Sequence, residues 1–211
     1  MAARVLTIAQ GKGGAGKTTL AVQLAVALRN TGKSVALMDI DPQKSLSGWH
    51  AVRMTRDPAA QEIDLSAVAG WRVGTELDRL RGSHDYVIID SPPHAETETK
   101  HALNAADLAL IPLQPSPMDL WATKATIDAA SRERAHTLIV LNRVPPRAKV
   151  TAKILAAIKD QGLRAAKTSI GNRTAFASSM MEGLGVTEAA KRSVAAAEIN
   201  ALLQEVRRLI K

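Results

Sequence analysis

Short runs of apolar, β-prone residues alternate along the whole chain with stretches whose apolar positions recur every three or four residues. The runs at 4–9, 34–39, 86–90, 107–112 and 137–142 predict buried strands, with a weaker one at 163–168. Helical spacing predicts helices over 17–30, 45–55, 74–81, 97–105, 119–133, 149–161, 173–182 and 195–210. Thr31-Gly32 ends the first of these. Such alternation means βαβ units, and so a mainly parallel, doubly wound α/β sheet flanked by helices. Residues 56–72 carry the weakest pattern, although Glu62-Ile63-Asp64-Leu65 fits a short edge strand. With 211 residues and neither repeats nor a long linker, residues 1–211 read as one domain.

The last helix raises a question of its own. Ile199, Leu202, Leu203, Val206, Leu209 and Ile210 share one face, while Glu205, Arg207, Arg208 and Lys211 look away. A basic amphipathic helix can lie on a membrane. No flexible linker precedes this one and it carries no bulky aromatics, so docking on the sheet is expected.

Composition narrows the function classes. The chain has no cysteine, which excludes disulfides, thiolate metal sites and iron–sulfur clusters. No apolar run approaches the ~20 residues of a membrane span. The first strand begins at Arg4, which leaves no signal-peptide pattern, and a cytoplasmic protein is expected. Three Trp, one Tyr and one Phe argue against aromatic stacking on nucleic-acid bases. Residues 1–142 hold 15 basic and 15 acidic side chains, and residues 143–211 hold 13 and 5, so the whole net charge of +8 lies in the final third. Charge confined in this way suits a polyanion such as the DNA backbone.

The chemistry begins at Gly11. Gly11-Lys12-Gly13-Gly14-Ala15-Gly16-Lys17-Thr18-Thr19 contains G-x-x-x-x-G-K-[ST] between a predicted strand and a predicted helix. Glycines let successive N–H groups turn inward around phosphate oxygens, and the helix adds its positive end. Lys17 is expected on the β- and γ-phosphates and Thr18 on Mg²⁺. Lys12 has no task in an ordinary loop of this type. Further on, Asp39 and Asp41 alternate at the end of a strand, where one carboxylate can serve Mg²⁺ and the other can orient water. Tyr86-Val87-Ile88-Ile89 leads into Asp90, a second candidate for Mg²⁺. Three prolines stiffen 112–117, and Asp119 fits the N-cap of the next helix. Asn142 follows a strand; its amide suits adenine, and a turn Asn is the other reading.

These motifs, in this order, resemble the deviant Walker A ATPases of the ParA/MinD superfamily, and most closely the short ParA (ParF-like) form without an N-terminal helix-turn-helix. Lys12 matches that family's extra lysine, Asp39-Ile40-Asp41-Pro42-Gln43 its D-x-D-P-Q string, and Asp90-Ser91-Pro92-Pro93 its D-x-P-P string. Residues 169–178 and 183–188 are similar to its C-terminal signature. The resemblance implies an ATPase using ATP and Mg²⁺. It implies a homodimer sandwiching two ATP molecules, with Lys12 reaching the other subunit's phosphates. By the same resemblance Thr18, Asp39 and Asp90 serve the metal, Asp41 positions water, and Asn142 reads adenine. It further implies non-specific DNA binding in the ATP form, hence a nucleoid location, and a ParB/ParG-like cargo adaptor that stimulates hydrolysis. Arg147, Lys149, Lys167, Arg173, Lys191 and Arg192 are the candidate DNA contacts. A MinD-like membrane ATPase, a ligase of the same fold and a nucleotide-dependent scaffold stay open as alternatives.

Overall fold

The computed structural model describes residues 2–56, 63–93, 96–147 and 149–210. Six strands, β1 (Arg4–Ile8), β2 (Val35–Asp39), β3 (Ile63–Ala67), β4 (Tyr86–Asp90), β5 (Leu108–Leu113) and β6 (Thr137–Leu141), form one sheet in the order β3-β2-β4-β1-β5-β6. Every pairing is parallel. All residues of β2, β4 and β5 are buried, as expected for strands covered on both faces. Register then places chemistry. Ile8 pairs with Asp90, and Asp90 with Asp39, so the phosphate loop and both carboxylates leave the sheet side by side. Strand order reverses about β1, and ligands of such sheets bind at that switch point.

Nine helices among the described residues cover the sheet. They are α1 (Lys17–Arg29), α2 (Ser45–Met54), α3 (Val73–Arg81), α4 (Glu96–Asn104), α5 (Pro117–Arg132), α6 (Lys149–Asp160), α7 (Thr174–Met181), α8 (Val186–Ala189) and α9 (Val194–Leu209). The expected helices fall within two residues of these bounds. The edge strand appears as β3, while Glu62 lies outside the described residues. Two short elements, α8 and a 3₁₀ turn at Gly70–Arg72, have too few residues to show a period. Helix α9 docks as expected: Ala195, Ala196, Ile199, Leu202, Leu203 and Val206 join the core that contains α1. Its apolar face is therefore covered by this chain. No helix among the described residues is long and apolar enough to cross a membrane.

The weak strand expected at 163–168 is not one. Residues 163–171 follow the outer edge of β6 with isolated bridges at Ile139–Ala165 and Val144–Gly171. The N–H groups of Lys167 and Thr168 donate to the Glu205 carboxylate at 2.8 Å each, and the N–H of Gly171 donates to Glu198 at 3.2 Å. Carboxylates of α9 thus take donors that a regular ladder would have paired.

One buried charge ties α2 to the C-terminal segment. Arg53 is fully buried; it donates to both Glu188 carboxylate oxygens at 2.9 and 3.0 Å, to the Gly183 carbonyl at 3.0 Å, and lies over the Trp49 ring. Gly183 has φ +67°, and a Cβ there would sit 2.5 Å from the Arg53 nitrogen, so glycine is required twice over. Removing one partner of a buried pair strands the other charge, at a cost of about 3–5 kcal/mol. Glu188→Gln is therefore expected to lower stability by about that amount in urea unfolding; a change below about 1 kcal/mol would show that Arg53 finds other compensation.

Candidate nucleotide-binding site

The P-loop spans the gap between the end of β1 and the start of α1. Gly14 and Gly16 hold φ of +75° and +91°, the left-handed region that side chains avoid. Gly16 has a second reason to lack a side chain, since a Cβ would meet the Asn142 amide nitrogen at 2.4 Å. The loop is braced at four points. Asn142 donates to the Ala15 carbonyl at 2.8 Å, and Gln114 to the Gly14 carbonyl at 3.2 Å. The Gly11 N–H donates to Thr126 Oγ1 at 3.0 Å, and the Lys12 N–H to Gln10 Oε1 at 3.3 Å. Gln10 is in turn held by Thr123 and the Pro112 carbonyl.

Lys17 is buried at the first turn of α1. Desolvation lowers its pKa from the ordinary lysine value, and the nearby Asp90 and Asp41 charges oppose that. Thr18 Oγ1 donates to Asp90 Oδ2 at 2.6 Å. The other Asp90 oxygen is buried without a hydrogen-bond partner. A hydroxyl beside an orphaned carboxylate oxygen is the hard-oxygen donor set that suits Mg²⁺, with the rest of its shell coming from water and phosphate. Burial is also the main cause that pushes the Asp90 carboxyl up to about 7.

Asp39 ends β2 and Asp41 follows it. Asp39, expected near the metal, has Oδ2 accepting from the Ser47 N–H and hydroxyl at 2.9 and 2.7 Å, and Oδ1 accepting from the Asp41 N–H at 3.1 Å. Both its oxygens take donors of the β2–α2 turn, which fixes the backbone of Asp41. Asp41 is partly exposed, and one of its oxygens accepts from the Gln43 N–H at 2.9 Å. Its charge is felt at both Lys17 and Asp90, which puts it at the phosphate end of the site.

Lys12 pairs with the start of α5. Its Nζ lies 2.8 Å from Asp119 Oδ2, and its side chain is 41 % exposed. The expected N-cap role of Asp119 belongs instead to Ser116, whose hydroxyl accepts from the Asp119 N–H at 3.1 Å. Pro117 occupies the first turn, and the Asp119 carboxylate accepts from the Ser116 hydroxyl as well as pairing with Lys12.

Beside the P-loop opens a cleft of about 190 Å³, lined among others by Thr19, Asn142, Arg143, Gly171, Arg173 and Phe176. Asn142 lines this cleft. Its oxygen accepts from the Arg143 N–H and its nitrogen braces Ala15, so the amide also holds the loop. Arg173, expected on a DNA face, is bound to Glu198 through two contacts of 2.5 and 3.0 Å and lines this cleft. Its charge is neutralised within the chain. Sequence reasoning missed Phe176 and Arg143. The signal for Phe176 was present, since it is the chain's single phenylalanine and lies within 169–178. Arg147, Lys149, Lys167, Lys191 and Arg192 are all exposed. The first three follow the β6 edge and the start of α6, whereas Lys191 and Arg192 belong to the α8–α9 turn.

Strand, glycine loop and helix at a switch point, with Lys17, Thr18 and Asp90 around the loop, define a P-loop nucleotide-binding protein. The family model described as the CobQ/CobB/MinD/ParA nucleotide binding domain matches residues 6–186. The chain belongs to that family, and within it to the ParA/MinD ATPases, which use ATP and Mg²⁺. It is 32 % identical over 212 residues to the maintenance of carboxysome distribution protein A of Halothiobacillus neapolitanus, covering 95 % of both chains. Among solved structures it is similar to a complex of a Cyanothece McdA variant with ATP, with TM-score 0.78, 22 % identity and coverage of 99 % and 96 %. It is likewise similar to MinD of Pyrococcus horikoshii complexed with Mg-ADP, with TM-score 0.77, 21 % identity and coverage of 98 % and 97 %. Likeness at these identities speaks for the fold.

The raised Asp90 pKa carries a sign. A carboxyl whose folded pKa exceeds its unfolded value stabilises the fold at low pH and loses that advantage as pH rises toward the folded pKa. Without nucleotide or metal, Asp90→Asn is expected to gain on the natural protein by about 2–3 kcal/mol between pH 5 and pH 8. Urea midpoints in EDTA would measure it; parallel pH profiles for the two proteins would refute it.

Proposed function

We propose that this chain is a positioning ATPase that alternates between a monomer and an ATP-bound dimer, and that the dimer rides on non-specific DNA. The observation that carries the reading is Lys12. A P-loop already equipped with Lys17 holds a second, part-exposed lysine, parked on Asp119. A charge so placed serves a nucleotide bound to a second copy facing the loop. Each subunit then supplies Lys17 in cis and Lys12 in trans.

The chain's own residues set the rest of the chemistry. P-loop N–H groups and Lys17 orient the phosphates, and Thr18 with Asp90 would hold Mg²⁺, which neutralises developing phosphate charge. Asp41, fixed by Asp39 and Gln43, orients the attacking water. Catalysis here is positioning and charge stabilisation. The cleft beside Asn142 has room for the base, with Phe176 and Arg143 on its wall. Hydrolysis removes the γ-phosphate that the two lysines share, and the dimer parts. A cargo-bound adaptor would accelerate that step.

Cargo follows from likeness. The Halothiobacillus relative, which matches almost end to end, is named for carboxysome distribution, and this favours a large protein body over a plasmid. With DNA as its track, the ATP form would lie on the nucleoid in the cytoplasm. A membrane partner is disfavoured because α9 uses its apolar face inside the fold.

Lys12→Ala is expected to bind ATP yet fail to dimerise with it, with stimulated hydrolysis lost, whereas Lys17→Ala fails at binding itself. Light scattering with ATP and with ADP reads both; normal ATP-driven dimerisation of Lys12→Ala would remove the trans role. For DNA, random and defined duplexes should bind alike in the ATP form, with a log–log salt slope of about −0.9 per phosphate contacted. Reversing Arg147 and Lys149 together to Glu should reduce that slope and the affinity without affecting dimerisation. Equal binding by the ADP form would contradict the switch, and binding to anionic vesicles in place of DNA would move the assignment to a membrane ATPase.

A further inference from the structure

All strands of a parallel sheet start at one edge, and the helices between them end there. The nucleotide site occupies the other edge, where Ile8 and Asp90 leave the sheet side by side. At the starting edge Arg4 pairs in register with Tyr86. Four residue steps of ~3.3 Å put the two edges roughly 13 Å apart. The end of α9 meets the starting edge, and between them opens a cleft of about 390 Å³ lined by Arg4, Tyr86, Gln204, Arg207, Arg208 and Ile210. That volume falls within the roughly 300–1,000 Å³ usual for small-molecule sites.

Three guanidinium groups share this cleft with one weak counter-charge. Arg4 reaches Asp107 only at 4.0 Å, and Asp107 already accepts from the Val5 N–H at 2.7 Å. The neighbouring Asp85 carboxylate is engaged by Lys33 and Ser34. Arg207 and Arg208 have neither an ion pair nor a hydrogen bond among the described residues. Arginine in a last turn complements the negative end of a helix, as Arg79 and Arg81 do in α3 and Arg132 in α5. What distinguishes the α9 pair is a concave setting, a third arginine from a strand, and Tyr86. That tyrosine is only 9 % exposed, yet its hydroxyl makes no hydrogen bond among the described residues. A buried tyrosine hydroxyl ordinarily has a partner.

We infer that this cleft binds a small, soluble, phosphorylated molecule at a site separate from the ATP site. Planar guanidinium forks match phosphate oxygens in pairs. The Tyr86 hydroxyl and the Gln204 amide donate to oxygens that the arginines leave, and Ile210 offers an apolar wall to the carbon skeleton. Three guanidinium charges against the one Asp107 carboxylate leave two, so a polyvalent phosphoryl group suits the cleft better than a single carboxylate does. A concavity of this size fits a molecule that can enter it, whereas a stiff duplex or a flat bilayer would bridge its mouth. Placed at the far edge of the sheet, the ligand does not compete with ATP, and the site stays open whether or not two copies meet at the phosphate edge.

The test saturates the P-loop of the full chain with Mg-ADP and titrates fructose 1,6-bisphosphate by calorimetry at low salt. One molecule per chain should bind. Arg4→Gln and Arg208→Gln should each weaken binding about tenfold or more, as loss of a charge-assisted bond does. Tyr86→Phe keeps the ring and should weaken it about threefold. Arg132→Gln, which removes an exposed arginine outside the cleft, should change nothing. Phenylglyoxal labelling read by mass spectrometry tests the natural protein should a variant fail to fold: the bisphosphate should protect Arg207 and Arg208 and leave Arg132 reactive. Absence of binding, displacement by Mg-ADP, or losses no larger than that of Arg132→Gln would overturn the assignment. So would capture of phosphatidic acid vesicles or duplex DNA through Arg208 by a chain that ignores the bisphosphate, in favour of a lipid surface or a DNA backbone.

Discussion

A loop built mostly of glycine has many conformations to lose, and a phosphate cradle works only if that loss is met before the ligand arrives. Here the brace is a set of side-chain amides and hydroxyls from α5, from the residues just after β5 and β6, and from Gln10 at the end of β1. Asn142 and Gln114 fix the Ala15 and Gly14 carbonyls, while Thr126 and Gln10 receive the Gly11 and Lys12 N–H groups. Turning carbonyls outward is what leaves N–H groups facing inward. The neighbouring elements therefore shape the cradle as much as the glycines do: the parallel register of β1, β5 and β6 brings in Asn142 and Gln114, and α5 brings in Thr126.

The second constraint is the burial of Asp90. A carboxyl at the end of a fully buried strand, with one oxygen on Thr18 and the other without a partner, is held ready for a cation. The same burial depresses Lys17, so the two groups that handle phosphate and metal are both raised in energy by desolvation. Binding of Mg²⁺ and nucleotide relieves both at once, which links affinity to the fold's own electrostatics. Arg53 differs: its charge is buried too, but Glu188 and the Gly183 carbonyl take its two terminal nitrogens, leaving only Nε without a partner.

Much of this was legible in the residues. Short apolar, β-prone runs and period-3.6 patterns placed the strands and long helices, and the order of Gly11–Thr19, Asp39–Asp41 and Asp90 announced a nucleotide site. What stayed hidden depends on partners distant in sequence. That Asp39 is engaged by Ser47, Arg173 by Glu198 and Asn142 by Ala15 cannot be read from spacing, because each pairing is decided by how the elements pack. Charge counting found the basic final third correctly but could not tell a free arginine from one already neutralised. Ser116 outcompeted Asp119 as N-cap because Pro117 fixes where the helix starts.

The margin of the sheet beside β6 has a consequence for how copies can meet. Segment 163–171 lies along that margin, and carboxylates from α9 take the N–H groups of Lys167, Thr168 and Gly171. A strand of another molecule would find those N–H groups already taken, which works against a continuous, almost irreversible ladder of main-chain bonds on that side. Association there is left to side-chain surfaces, whose strength is set residue by residue. That suits the proposed cycle, in which copies part within each turnover.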